Sequence, residues 1–310
     1  MGAVVLGSIH MDMIVRSERL PKPGETILGW DFKMLPGGKG ANQAVALSKL
    51  NVRTGMISRV GDDFLGKSLL ENLKRNSVDT SHVKRDPETH TGLALIIVDK
   101  RGRNMIAVAR GADEHVSIYD VEDAADAIAS SDYLLAQLEL PVETVVHAIR
   151  LARERGTKVI LNAAPAQRLP REILPMIDYL IVNEVEASLL SRVRISDLRS
   201  AERAGRRLVG MGVGNVVITL GRLGAMLIKG DGDVVRSKGV KVRAVDTTGA
   251  GDAFCGAFTA FLSENRPVEE ALQLANYAAA LSITRVGAQE ALPTRDEVLK
   301  FAEEQKFGGR

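Results

Sequence analysis

Short apolar runs closed by small or polar residues recur along the chain, and their spacing predicts strands alternating with helices. Ala3-Val4-Val5-Leu6, closed by Gly7-Ser8, reads as a buried strand, and Arg53 to Val60 as another, with a helix starting near Asp63. Beyond residue 130 the runs Tyr133 to Ala136, Lys158 to Leu161, Tyr179 to Val182 and Asn215 to Leu220 are apolar on both sides, as in central parallel strands. Helical stretches such as Val142 to Glu154 and Leu198 to Met211 separate them, and helices over Ala250–Glu264, Val268–Arg285 and Arg295–Gln305 finish the chain. This alternation predicts an α/β fold, a doubly wound and mainly parallel sheet flanked by helices.

A second set of segments has a different period. In Thr26 to Leu35, Leu28, Trp30, Phe32 and Met34 alternate with Gly29, Asp31 and Lys33, the pattern of a strand with one wet face. Thr91 to Val98 and Asn104 to Arg110 form a strand pair around the turn Asp99 to Arg103. These segments predict a small β-sheet inserted, from about 10–35 and 91–110, into one domain spanning 1–310.

Composition narrows the function. The 41 basic and 39 acidic side chains leave a net +2, too weak a field for nucleic acid or an anionic membrane as main partner. The single cysteine, Cys255, excludes an internal disulfide and a zinc cluster. No apolar run approaches the ~18 residues of a membrane span, and Ala3 to Gly7 is too short for a signal sequence core. The expectation is a soluble, cytoplasmic protein with a large core.

Four glycine-rich segments are candidates for chemistry. Gly61-Asp62-Asp63-Phe64-Leu65-Gly66-Lys67-Ser68 fits a phosphate-binding loop, yet it would set two carboxylates in an anion nest and bury Lys67 inside a helix. It is read as coincidence, with Gly61 as a turn and Asp62 as the helix cap. Gly210-x-Gly212-x-Gly214 follows a helix and precedes a strand, the reverse of a dinucleotide fold, and is set aside. Asp246-Thr247-Thr248-Gly249-Ala250-Gly251-Asp252 opens an apolar helix, where unpaired N–H groups attract anions. Asp252 in that first turn reads either as a capping acid or as a base beside a bound anion, the pairing that phosphoryl transfer to a hydroxyl requires. Gly37-Gly38-Lys39-Gly40-Ala41-Asn42 allows close backbone approach to a polar ligand, and equally reads as a turn before a helix. Cys255, one turn after Asp252, reads as a packed small residue, and His82, His90, His115 and His147 show no ligand spacing.

Gly37 to Asn42, Gly61-Asp62-Asp63 and Asp246 to Asp252, with Gly7-Ser8-Ile9, Pro23-Gly24-Glu25, Asn183-Glu184-Val185-Glu186, Thr219-Leu220-Gly221, Gln137-Leu138-Glu139 and Thr284-Arg285-x-Gly287-Ala288-Gln289, occur in the order of the ribokinase-like (PfkB) sugar kinases. The resemblance spans nearly the whole chain. It implies ATP-dependent phosphorylation of D-ribose at O5, or the same chemistry on a nucleoside, deoxyribose or another furanose. It implies Asp252 as general base and Gly249, Ala250 and Gly251 as anion hole. His10, Asp12, Gly38, Lys39, Asn42 and Glu139 match sugar-binding positions. Asn183, Thr219, Gly221, Gly224, Gly251 and Asn276 match nucleotide-binding ones. Glu186 matches a magnesium-linked position, and Asp246, Thr248, Ser282, Arg285 and Gly287 match a monovalent-cation (K⁺) loop. The small sheet corresponds to a lid that often builds a homodimer.

The chain departs from the resemblance at three positions. His10 replaces an asparagine two residues before the sugar aspartate, which bears on the choice of sugar. Ala291 replaces a serine of the cation loop, and Ser282, at an alanine position, is left its backbone carbonyl as a ligand.

Overall fold

Alternate residues of the first strand belong to two different cores, which is what places it at the centre of a sheet covered on both sides. Ala3 and Val5 pack into one apolar cluster and Val4 and Leu6 into the other. The computed structural model describes residues 2–307. The described chain runs through β1 (Gly2–Leu6), β2 (His10–Ser17), β3 (Gly29–Gly37), β4 (Arg53–Gly61), β5 (Val78–Asp86), β6 (Gly92–Asp99), β7 (Asn104–Ala109), β8 (Tyr133–Ala136), β9 (Lys158–Asn162), β10 (Tyr179–Asn183), β11 (Asn215–Thr219), β12 (Gly224–Ile228) and β13 (Val234–Lys238).

The large sheet has the order β13-β12-β11-β10-β9-β8-β1-β4-β5. Every pairing from β11 across to β5 is parallel, and β12 and β13 add an antiparallel edge. The fold is the expected doubly wound one, and the strand order reverses between β1 and β8. In such sheets a ligand crevice opens beyond the carboxyl ends of the strands at that switch point. β5 had no signal in the apolar pattern. It is an edge strand carrying Asp79, His82, Lys84 and Arg85, charges that protect an open edge from pairing with another chain.

β3, β2, β6 and β7 form the small sheet. β2 follows directly on the carboxyl end of β1, so this sheet starts at the crevice. The register puts His10 and Asp12 opposite Gly37 and Leu35 on one face. Met13, Val15, Met34, Phe32, Leu95 and Met105 share the other. The alternation expected over Thr26 to Leu35 holds from Gly29 onward, but the apolar side is the open one: Trp30 is 55% and Phe32 56% exposed.

Residues 252–263 of the Ala250–Ser263 helix are all buried, as a helix apolar all round must be. Phe258 meets Tyr179 edge-on at 5.3 Å and lies parallel to Phe254 at 6.2 Å. Gly256 lets the Lys39–Lys49 helix approach closely, since a Cβ there would lie 2.4 Å from the Ala46 side chain. That contact sets the distance between the two glycine-rich segments. The Val268–Ser282 and Leu198–Val209 helices end two to three residues before the expected points. No described helix is long and apolar enough to cross a membrane.

Candidate active site

Glycines bring the backbone of one segment onto the next. Gly38, at φ 89°, ends β3 and leads into the Lys39–Lys49 helix, and a Cβ there would lie 2.7 Å from Ser8 O and His10 N. A Cβ at Gly40 would lie 2.5 Å from the Gly7 carbonyl carbon. The start of this helix is thereby pressed against residues 7–10, at the end of β1. Gly249, at φ 74°, turns the chain into the Ala250–Ser263 helix and leaves Asp252 in its first turn. The N–H groups of that turn have no partner within the helix and carry the positive end of its dipole.

Lys39, Asn162, Asn183, Glu186, Thr219, Gly249, Ala250, Gly251 and Asp252 line one cleft of about 160 Å³. They come from the carboxyl ends of β9, β10 and β11 and from three helix starts. Asp252 is buried: Oδ2 accepts from Asn42 Nδ2 and Oδ1 from Gln43 Nε2, both at 2.9 Å. Burial pushes its carboxyl pKa up, against the Lys39 ammonium and the two amide donors. Burial also disfavours the Lys39 charge, but Asp252, Glu139 and Glu186 around it move the balance upward.

Glu139 stands after β8. Its Oε2 accepts from Ser8 Oγ at 2.5 Å and Lys39 N at 3.2 Å, and its Oε1 lies 3.9 Å from Lys39 Nζ. Asp12 faces the same group from the small sheet. Its pKa is raised to about 6, first by burial and then by Glu139 and Asp252, against His10. His10 Nε2 lies 2.6 Å from Asp113 Oδ2, with both side chains buried. Asp113 Oδ1 accepts from Ile9 N at 3.1 Å. Burial lowers the His10 pKa, but Asp113, Glu139 and Asp12 outweigh it and the net shift is upward. His10 is therefore held in a buried pair with Asp113, and no sequence pattern pointed to Asp113.

Asn183 and Glu186 cap the Glu184–Ser191 helix reciprocally: Glu186 N donates to Asn183 Oδ1 at 2.9 Å and Asn183 N to Glu186 Oε2 at 2.8 Å. Burial raises the Glu186 pKa despite that N–H. Gly221 and Gly224 shape the turn from β11 to β12 at φ 52° and 93°. Asn276 Nδ2 donates to Lys238 O at 2.7 Å and so clamps the end of β13.

The remaining candidates form a separate cluster. Asp246 Oδ1 accepts from Thr248 N and Oγ1, and Oδ2 from Gly287 N at 3.0 Å, tying two loops together. Val245 N donates to Ile283 O at 2.7 Å in the same junction. Arg285 turns its guanidinium to Glu297, and the Ser282 hydroxyl donates to Ala279 O. Ala291 is fully buried.

The loop at residues 61–68 is not a phosphate site. Asp63, not Asp62, caps the Phe64–Arg75 helix, accepting from Gly66 N at 2.7 Å and Thr91 N at 2.8 Å. Its own carboxylate fills the nest that phosphate would need, and Asp62 pairs with Arg85. Cys255 is packed, and burial pushes its thiol pKa up. Of the other histidines, His115 bonds Asp86 and His147 bonds Glu122, while His90 meets the Thr91 carbonyl.

Sequence reasoning assigned no role to Gln43, Gln137, Asn162 or Gln289, all buried around Asp252. For Asn162 a signal existed, since it ends an apolar central strand on the carboxyl edge of the sheet. For the glutamines it did not.

A buried carboxylate and an ammonium at a helix N-terminus, on the carboxyl edge of a doubly wound sheet, suit an anionic group and a hydroxyl acceptor. Known proteins point the same way. The profile described as "pfkB family carbohydrate kinase" matches residues 2–295. The ribokinase of Haemophilus influenzae is 41% identical over 300 residues, covering 96% of this chain and 97% of its own. The deoxyribokinase of Salmonella typhi is 36% identical over 302 residues, covering 97% and 98%. The structure of Arabidopsis thaliana ribokinase complexed with ribose and ATP superposes with a TM-score of 0.90 at 32% identity, covering 96% and 97%. The chain belongs to the pfkB family of carbohydrate kinases, enzymes that transfer a phosphoryl group to a sugar.

Proposed function

We propose that the protein transfers the γ-phosphoryl group of ATP to O5 of D-ribose, giving D-ribose 5-phosphate and ADP. The observation that carries this reading is the Asp252 carboxylate at a helix mouth, with Lys39 beside it. Asp252 takes the O5 proton, while the N–H groups at Gly249, Ala250 and Gly251 offset charge on the transferring group. Asp12, Gly38, Lys39, Asn42 and Glu139 bind sugar hydroxyls. Asn183, Thr219, Gly221 and Gly224 hold the phosphates of the nucleotide, and Asn276 its base side. The similarity to the ribokinase solved with ribose and ATP supports both ligands.

Two cation positions fit the residues present. Glu186 is a buried carboxylate in the cleft wall, disfavoured by burial, and suits magnesium held among oxygens. When bound, magnesium neutralises phosphate charge. At the junction of residues 245–248 with 282–287 the charged Asp246 carboxylate ties the two loops together, and a monovalent cation such as potassium suits that charge. Among the described residues no three or more His, Cys, Asp or Glu side chains are grouped so as to hold a metal ion.

The test is ADP release with ATP and magnesium, with and without potassium, across ribose, deoxyribose, fructose and nucleosides. Ribose turned over well ahead of the rest supports the reading; no turnover on ribose sinks it. The second reading is the same chemistry on deoxyribose, a nucleoside or another furanose. The buried His10–Asp113 pair beside Asp12 and the similarity to a deoxyribokinase favour it, and that panel separates the two.

Asp12 predicts a pH dependence. Burial raises its pKa to about 6, so acidification through that value protonates the acceptor of the sugar hydroxyls. The sugar KM is expected to rise as pH falls below about 6, and Asp12→Asn to raise KM at neutral pH and flatten that limb. A KM independent of pH from 5 to 7 in the unaltered protein would count against Asp12 as a sugar ligand. For stability the sign is opposite: a carboxyl with a raised folded pKa favours folding as pH falls toward its unfolded value.

A second copy of the chain is the proposed partner for the open apolar face of Trp30, Phe32, Leu95 and Met105. Phe32→Asp is expected to convert dimers to monomers in sedimentation; a monomer before substitution refutes this.

A further inference from the structure

We propose that two lines of side-chain amides, Gln137–Gln43 on one side and Asn72–Gln289–Asn42 on the other, lock the Asp252 carboxylate as an acceptor in one orientation, with Gln137 and Gln289 as positioning residues. The inference rests on Asp252 being the base. Gln137 Nε2 donates to Gln43 Oε1 at 2.7 Å, and Gln43 Nε2 donates to Asp252 Oδ1 at 2.9 Å and Asn162 Oδ1 at 3.1 Å. On the other side Asn72 Nδ2 donates to Gln289 Oε1 at 2.7 Å and Gln289 Nε2 to Asn42 Oδ1 at 3.1 Å. Asn42 Nδ2 then donates to Asp252 Oδ2 at 2.9 Å.

A carboxamide is polar in opposite senses at its two ends, so fixing one end fixes the other. Turning the Gln43 amide over would set its oxygen against Asp252 Oδ1 and Asn162 Oδ1, and its NH₂ against that of Gln137. Turning Asn42 would do the same against Asp252 and Gln289. Gln43 and Gln137 are wholly buried and Gln289 is 4% exposed, so water offers no cheap replacement. Gly7 makes room for the chain, since a Cβ there would lie 2.0 Å from Gln137 Oε1.

The result is that each oxygen of the base receives one neutral donor, Oδ1 from Gln43 and Oδ2 from Asn42. Both donors favour the charged form where burial opposes it. Lys39 faces Asp252 as the cation, and Glu139, Asp12 and Cys255 face it as acids, with Glu186 beside Lys39 and Cys255. The amide lines hold the carboxylate without adding charge to the site.

The test is the pH profile of kcat for Gln137→Met, Gln289→Met and Asn72→Ala, with Asp252→Asn alongside. Gln137→Met and Gln289→Met are expected to lower kcat about tenfold with sugar KM within about twofold. Losing donors to a carboxylate raises its pKa, so the acid limb of kcat moves to higher pH in both. Asn72→Ala, at a half-exposed helix position, moves it the same way by less. A packing defect alone would lower the melting temperature and leave the acid limb in place. An unchanged acid limb in the folded variants, or a loss confined to KM, overturns the inference. If Gln137→Met does not fold, Gln289→Met and Asn72→Ala decide. Near-native turnover in Asp252→Asn would instead remove the base reading itself, whereas an inactive Asp252→Asn with unaltered amide variants removes only the positioning role.

Discussion

Asp252→Asn is expected to lower kcat by about 10²–10⁴-fold, with nucleotide affinity and folding close to those of the unaltered chain. The substitution keeps size and shape and removes the charge that takes a proton from the acceptor hydroxyl. It also turns one oxygen into an NH₂ facing the Asn42 or Gln43 donor, so the side chain no longer satisfies both amides. Helix and cleft stay in place because the packing of the Ala250–Ser263 helix comes from Phe254, Phe258 and Phe261, not from this residue. Steady-state turnover, ADP binding and a melting curve separate the outcomes. A kcat within about tenfold of the original would place the proton acceptor elsewhere. Loss of folding would show that the carboxylate is structural.

Gly256→Leu is expected to cost about 1–3 kcal/mol of stability, the usual range for overpacking, and more than tenfold in kcat. Gly256 is one turn beyond Asp252 and faces the Lys39–Lys49 helix, where a Cβ already falls 2.4 Å from Ala46 Cβ and 3.1 Å from Gln43 O. A leucine must push the helices apart, and the helix it displaces carries Lys39, Asn42 and Gln43. Stability and catalysis should therefore fall together. Gly256→Ala, with one added carbon, should show the same direction with smaller effect. Thermal melting and turnover measured on both variants test this; a leucine variant with unaltered melting and kcat would show that the helices have slack at this crossing.

How much was legible in the sequence differs between strands. β1, β8, β9, β10 and β11 are buried on both faces, so their sequences are uninterrupted apolar runs and their positions read directly. β5 is an edge strand of charged residues and had no such mark. The small sheet was recognised by its period of two, but not the side on which it would be covered. Alternation tells that two faces differ; what packs on each depends on distant segments, and here Trp30 and Phe32 are left more than half exposed by the described residues.

The site divides in the same way. Asp252 and its glycines were legible because a glycine pair at a helix mouth is a local backbone event, and local events are written in consecutive residues. The false loop at 61–68 was legible as false for the same reason, since its own carboxylates answer its own N–H groups, although the cap proved to be Asp63 and not Asp62. Asp113 against His10 was not, because 103 positions separate the partners and an isolated aspartate carries no mark of its neighbour. The sequence by itself determined the class of fold and the acid at the helix mouth. Only the tertiary structure decided which amides hold that acid, which histidine is paired and which face of the small sheet lies open. Hydrogen bonds and burial depend on distances between segments, and those distances are set by packing, at Gly40 on Gly7 and at Gly256 on Ala46, rather than by any local pattern.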